Sequence, residues 1–396
     1  MNSNLLINAA RSVAKQWMLP AAARREQKDD RAGLRRADPG PRLVIRSCLD
    51  WLRRAQDFSP SKDGGVSRDF SLLSGWATSY PETTGYIVPT MLECARRFHD
   101  DDLRLRARRM LDWFVSIQYP EGGFQGGKID SQPRVPVTFN TGQILLGLAA
   151  GTSEFGDVYR GPMNKAAVWL RDTLDPDGCW RNFPTPFAAS GEKAYETHVS
   201  WGLFEAARMQ PGRGYAEAGL RQVDWALTKQ HANGWFEDCC LTDRDKPLTH
   251  TIGYVLRGVI EAYRFSQRAD LLERAESTAR GVLTAQRADG ALPGMLDSDW
   301  KPAATWACLT GIVQIASCWL LLHAITRNRE YRRAALAANA FVRRTVAVDG
   351  PADVRGGVKG SFPVDGEYGS FQYLNWATKF CIDANIHELD CDGVRE

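Results

Sequence analysis

Residues 231–265 read HANGWFEDCCLTDRDKPLTHTIGYVLRGVIEAYRF. The stretch begins on an Asn-Gly turn, passes through a polar loop, and ends in an apolar run that opens on Thr-His. Asp238, Cys240 and His250 within it are all competent zinc ligands. The segment is therefore either a metal site or one turn of a repeating scaffold, and the rest of the chain decides between the two.

The turn recurs. SKDGGV (61–66), YPEGGF (119–124), DPDGCW (175–180), HANGWF (231–236), RADGAL (287–292) and AVDGPA (347–352) place glycines at 65, 123, 178, 234, 290 and 350, at intervals of 58, 55, 56, 56 and 60 residues. Self-similarity of this kind marks a repeat architecture. Ahead of each glycine lies an amphipathic segment: RLVIRSCLDWLRRAQ, LRARRMLDWFVSIQ, NKAAVWLRDTL, AEAGLRQVDWALTKQ, LLERAESTARGVLTAQ and YRRAALAANAFVRRTV. In the second, Met110, Trp113, Phe114 and Ile117 recur at three- and four-residue steps between Arg and Asp, one apolar stripe against a wet face. The glycine ends that helix because it accepts a left-handed backbone.

After a polar loop comes a second, more apolar segment: TTGYIVPTMLECARRF, NTGQILLGLAAGTSEF, THVSWGLFEAARM, HTIGYVLRGVIEAYRF, LTGIVQIASCWLLLHAIT and YLNWATKFCIDANI. These read as helices buried on all sides, with small residues that let neighbours approach. Outer and inner helices alternating six times predict an all-α (α/α)6 barrel or toroid of six helix hairpins, one domain over residues 41–390, with long loops on one rim around a central cavity. GGVKGSFPVDGEYGSFQY (356–373) carries a strand signal and is expected to form a short hairpin on that rim.

The 396 residues are 44% hydrophobic and 24% charged, as in a soluble globular protein. The net charge of +3 is uneven: residues 1–46 hold ten Lys/Arg against four Asp/Glu, a balance of +6, which leaves −3 for the rest. Residues 1–40 read as a basic arm, partly amphipathic helix: LLINAARSVAKQWMLPAAARREQKDDRAGLRR (5–36) is expected to be a short amphipathic helix followed by a basic stretch. Such an arm is solvated or makes peripheral contact with an anionic lipid surface. Arg11 and Lys15 interrupt any signal-peptide core, and no uninterrupted 18-residue apolar run is present, so neither a secretory leader nor a spanning helix is expected. Nine cysteines scattered through helix-like segments read as reduced thiols acting as small hydrophobes in a cytoplasmic protein. No nucleic-acid partner is expected.

Aligning the inner-helix starts gives a positional argument for the site. ETTGY (82–86) and HTIGY (250–254) superpose, with Glu82 opposite His250, Gly85 opposite Gly253 and Tyr86 opposite Tyr254. ETHVSW (196–201) puts Glu196 at the same place with His198 nearby, while Phe139 and Cys308 fall there in the second and fifth units. An acid there also serves as a helix N-cap. A histidine beside a helix N-terminus has its cationic form disfavoured, and neutral imidazole suits a general base; a hydrogen-bonded lining histidine is the plainer role. The rim loops add carboxylates, Asp238 and Glu367 among them. Glu82, Glu196, Asp238 and His250 are the candidate catalytic residues. Tyr86, His198, Tyr254 and Glu367 are expected to bind substrate, with Trp180, Trp235, Trp300 and Tyr368 as flat faces for sugar rings.

Toroidal protein prenyltransferases bind zinc through an Asp-x-Cys and a later His, which Asp238, Cys240 and His250 resemble. In those enzymes the Asp-x-Cys precedes the His by a whole repeat, whereas here both lie in one repeat and no fourth ligand is evident. No metal or other cofactor is assigned. Terpene-cyclase chemistry lacks its DxDD and repeated Gln-Trp motifs. The motifs YPETTGYIVPTMLE, GGFQGG, NTGQILLGL, ETHVSWGL and LTHTIGYVLRGVIEA resemble a bacterial family associated with exopolysaccharide biosynthesis, grouped with the terpenoid cyclase/prenyltransferase toroids and the six-hairpin glycosidases. That resemblance covers most of residues 41–385 and implies making or trimming of a polysaccharide. The expectation is a carbohydrate-active enzyme, glycoside hydrolase-like or of lyase or epimerase type, acting on an oligosaccharide or polysaccharide. The alternatives are a zinc-assisted prenyl-lipid enzyme and a non-catalytic glycan-binding scaffold.

Overall fold

The computed structural model describes residues 18–35, 37–391 and 393. After a first helix, α1 (Ala21–Arg31), six hairpins follow: α2 (Pro41–Asp57) with α3 (Pro81–Phe98), α4 (Asp101–Ile117) with α5 (Thr138–Phe155), α6 (Arg160–Asp172) with α7 (Thr197–Met209), α8 (Tyr215–Leu227) with α9 (Thr249–Ser266), α10 (Ala269–Thr284) with α11 (Leu309–Thr326), and α12 (Arg329–Arg343) with α13 (Asn375–Cys391). Each inner helix packs on the next, and α13 returns to pack on both α3 and α2, closing the ring. The expected (α/α)6 toroid is the fold.

The repeated turn joins one hairpin to the next. Gly64, Gly122, Gly178, Gly234 and Gly290 have φ between +86° and +112°, a conformation that L side chains avoid. A Cβ on Gly122, Gly178 or Gly290 would also collide with the carbonyl of Lys165, Arg221 or Ala337, each on the following outer helix. At four of the joints a glutamine at the end of the preceding outer helix, Gln56, Gln118, Gln230 or Gln286, completes the contact. Gln118 Nε2 donates to Gly122 O and to Pro162 O, both at 3.0 Å, and Gln56 and Gln286 bridge their own turn and the next outer helix in the same way. Conformation and contact thus correct three of the sequence markers. Gly64 and Gly122, not Gly65 and Gly123, are the left-handed glycines. Gly356 (φ +83°), not Gly350, meets the next outer helix, at Ser47 of α2, while a Cβ on Gly350 would meet nothing. The last unit carries extra turn residues because it must close back on the first.

The inner helices bury most of their side chains. Leu309–Thr326 has a mean hydropathy of 1.6 over 18 residues, long and apolar enough to cross a membrane by length and composition alone. It packs here as inner helix α11 of the ring, which corrects the expectation that the chain holds no such segment.

The rim hairpin forms only in part. Lys359 and Tyr373 make an antiparallel bridge, but the flanking strands pair elsewhere. β1 (Asp69–Ser71) joins β2 (Gly75–Trp76) and β5 (Gln372–Leu374), and β3 (Ala307–Cys308) joins β4 (Ser361–Phe362). The backbone groups thus tie the first, fifth and sixth rim loops together.

Residues 1–17 of the expected arm lie outside the described residues. Beyond them, α1 docks on the sixth rim loop. Lys359, 2% exposed in its side chain, reaches Glu26 at 2.7 Å and pairs with Asp30, whose other oxygen accepts from Val364 N at 2.8 Å. Ala23 packs with Val364 and Phe371. A solvated arm is not what residues 20–35 form, because a buried ammonium in the rim loop requires their carboxylates.

Candidate active site

A cavity of about 200 Å³ opens where the inner helices begin. Glu82 and Tyr86 reach it from α3, Phe139 and Asn140 from α5, Tyr195 from the turn before α7, His250 and Tyr254 from α9, and Trp376 from α13; the rim loops add Arg68, Tyr80 and Tyr368. The ring therefore gathers helix starts that are far apart in sequence at one mouth.

Pro81 and Glu82 open α3. A helix N-terminus favours a charged acid, yet burial outweighs it and pushes the Glu82 carboxyl up to about 7. The 2.9 Å hydrogen bond from Tyr80 Oη and the Arg68 guanidinium pull it back only in part. Arg68 donates to Asp69 at 2.6 Å and lies 5.9 Å from the Tyr80 ring and 5.1 Å from the Trp376 ring. Glu82 is half protonated near pH 7 and more so below it, so Arg68 is the fixed charge the cavity presents.

His250 is 5% exposed, and its Nδ1 lies 2.7 Å from Gln314 Oε1 on the neighbouring α11. That geometry puts the proton on Nδ1 and leaves Nε2 as an acceptor. Burial holds the ring neutral down to about 4, with the Gln314 bond opposing weakly. The His250 ring sits 4.4 Å from Tyr254 and 5.3 Å from Tyr368. Tyr254 and Tyr86 meet across the ring, Oη to Oη at 3.3 Å, as their matched positions anticipate. Gly85, beside Tyr86, lets α3 pack closely on α5, where a Cβ would lie 2.5 Å from Ile144 Cα.

The other candidates are distributed differently. Glu196 faces a second cavity on the far side of Phe139 and Tyr195. The cause is a 3-10 turn, Ala194–Glu196, which delays the helix so that α7 begins at Thr197. His198, not Glu196, is then the equivalent of His250. Each follows the threonine that opens its helix, and each has Nδ1 2.7 Å from a glutamine Oε1, that of Gln143 for His198. His198 is buried beneath Tyr254, 4.6 Å between rings, and its Nε2 has no partner.

Asp238 does not line the central cavity. It is left-handed (φ +54°), pairs with Arg244, and lies 3.1 Å from Lys229. Trp180 borders the second cavity, with its Nε1 on Leu170 O. Trp235 meets His231 edge to face, and Trp300 packs on Gly281 and donates from Nε1 to Asn233 O. These two close the repeat turns and leave no face for a sugar. Glu367 is exposed on the rim. Asp238, Cys240 and His250 do not converge, and among the described residues no group of three His, Cys, Asp or Glu could hold a metal ion.

Sequence reasoning did not select Arg68, Tyr80, Tyr195, Gln314 or Trp376. Trp376 was within reach, since it is the second residue of its inner helix, as Glu82 and His250 are of theirs. Arg68 had no local signal, because strand pairing of β1 places it.

Solved structures of similar shape exist. An unsaturated glucuronyl hydrolase specific for heparin superposes with a TM-score of 0.72 at 15% identity, over 91% of this chain and 99% of that one. This is a six-hairpin toroid. The unsaturated glucuronyl hydrolase of Bacillus sp. GL1 gives 0.70 at 15% identity over 87% and 96%. The cellobiose 2-epimerase of Bacillus thermoamylovorans B4167 gives 0.68 at 10% identity over 87% and 97%. At these identities the likeness establishes the fold. No protein-family model matches the chain, and no curated protein matches it in sequence.

Proposed function

We propose that this chain is a carbohydrate-active enzyme performing acid–base chemistry on an acidic sugar of an oligosaccharide or polysaccharide, with Glu82 as acid and His250 as base. The observation that carries the reading is one small cavity holding an acid protonated up to about 7, a histidine neutral above about 4, and an arginine between aromatic rings. The two groups sit in opposite protonation states over the same pH range, as an acid–base pair requires. Arg68 supplies the partner for a sugar carboxylate, and Tyr86 and Tyr254 supply hydroxyls.

Hydrolysis by two carboxylates needs a second acid across the scissile bond, and Glu82 is the one carboxylate lining this cavity among the described residues. The pair suits an epimerisation or elimination better. His250 Nε2 takes the proton from the carbon beside the carboxylate. Glu82 then either returns a proton to the opposite face or protonates the departing oxygen. The similar solved toroids, an unsaturated glucuronyl hydrolase and a cellobiose 2-epimerase, support a sugar substrate. A place in polysaccharide making or trimming rests on the sequence motifs. A cytoplasmic location rests on nine cysteines, none in a disulfide.

The test is incubation with uronate-containing oligosaccharides in deuterated water, read by proton NMR and mass spectrometry. Wild-type protein should exchange the proton beside the carboxylate or release an unsaturated product, and His250→Gln should do neither. Absence of both with the wild-type protein, across such substrates, refutes the reading.

A further inference from the structure

A second cavity of about 310 Å³ adjoins the first, and the two share Phe139, Thr185 and Tyr195 as a common wall. The central cavity alone, at about 200 Å³, is smaller than ordinary ligand pockets of about 300–1,000 Å³, whereas the two together, about 510 Å³, fall within that range. Inside the second cavity Glu196 is 5% exposed, and its Oε2 has no hydrogen-bond partner. A buried carboxyl oxygen left unsatisfied is costly and calls for an occupant with a hydroxyl to offer. Trp180 borders the same space as an aromatic wall, and Lys193 lies beside the acid.

We infer that this chamber is the binding site for the neighbouring sugar ring of the substrate, with Glu196 bonding that ring's hydroxyls and Phe139 and Tyr195 at the junction, so that the true substrate spans at least two rings. The inference rests on the central cavity holding the reacting acidic sugar. Burial pushes the Glu196 carboxyl up to about 8, opposed by Lys193, so at neutral pH it both donates and accepts, as a hydroxyl-rich ligand requires. Glu196 here is a binding residue for the second ring and takes no proton in the reaction.

The experiment measures calorimetric binding of two probes, glucuronate and the disaccharide glucuronyl-β-1,4-glucose, to full-length Glu82→Gln protein, in which no turnover depletes the ligand. The disaccharide should bind at least tenfold more tightly than glucuronate. Adding Glu196→Leu should erase that advantage to within twofold and leave glucuronate binding unchanged, while Glu196→Gln, which still donates and accepts, should retain most of it. The Leu variant removes an unsatisfied buried group, so its Tm should equal or exceed that of its parent. Equal binding of both probes, or an undiminished advantage in the Leu variant, overturns the second-ring site while leaving the central reading intact. Failure of glucuronate to bind at all overturns the central reading and this inference with it.

Discussion

Tyr80 Oη donates to Glu82 Oε2 at 2.9 Å at the start of α3, and the bond does not overcome burial of the acid. Activity that needs Glu82 protonated and His250 neutral should follow a bell, rising through about 4 and falling through about 7. Because the Tyr80 bond lowers the carboxyl, Tyr80→Phe should move the falling limb to higher pH and leave the rising limb in place. A pH profile of kcat/KM, which reports the groups of the free enzyme, checks both directions in the two proteins.

Glu82 also makes a stability prediction with a definite sign. Its folded value of about 7 lies above the ordinary 4.5, so the native state gains from its proton below 4.5 and loses that gain as pH rises through 7. Glu82→Gln should therefore be more stable relative to wild type at pH 8 than at pH 4. Urea unfolding at the two pH values reads the difference, and a variant whose relative stability ignores pH would show that the acid is not so perturbed.

His250 is held by Gln314, and the two substitutions should separate by size. His250→Gln should cost about 10²–10⁴ in kcat, the usual contribution of a general base. Gln314→Leu leaves the imidazole but frees its tautomer, for about a tenfold loss, the equivalent of one hydrogen bond. His250→Gln should leave Tm nearly unchanged, whereas Gln314→Leu strands the buried Nδ1–H and should cost about 1–3 kcal/mol; a Gln314→Leu protein with wild-type kcat would remove the orienting role.

The turn glycines predict a graded stability series. Gly290→Ala meets both a left-handed backbone and the Ala337 carbonyl, and should destabilise by about 2–4 kcal/mol. Gly350→Ala has the same backbone hand (φ +84°) with open space around it, and should cost about 1 kcal/mol. Equal losses would mean that packing of the turn on the next hairpin contributes nothing.

Lys359 is the anchor for α1. Its removal in Lys359→Met leaves Asp30 buried without its counter-charge, where burial already raises the carboxyl, for about 3–5 kcal/mol. Limited proteolysis should then cleave within residues 20–40 before the ring is attacked. A variant as resistant as wild type would show that α1 is held by its apolar contacts instead.

The order of twelve outer and inner helices was legible in the chain, because periodicity and turn glycines are local: the stripe of α4 and the left-handed Gly both act within a few residues. So were Glu82, His250, Tyr86 and Tyr254, whose matched positions the ring brings to one mouth. What the sequence did not contain was the phase of each helix start. A three-residue 3-10 turn moves Glu196 into a different chamber and makes His198 the partner of His250 in kind. Nor could it show that Trp235 and Trp300 close turns rather than line a cavity, or that Arg68 reaches Trp376 from the far end of the chain. Local patterning determines which helices form because backbone hydrogen bonds and burial stripes are short-range. Only closure of the ring decides which side chains share a cavity, because those neighbours meet through packing between residues hundreds of positions apart.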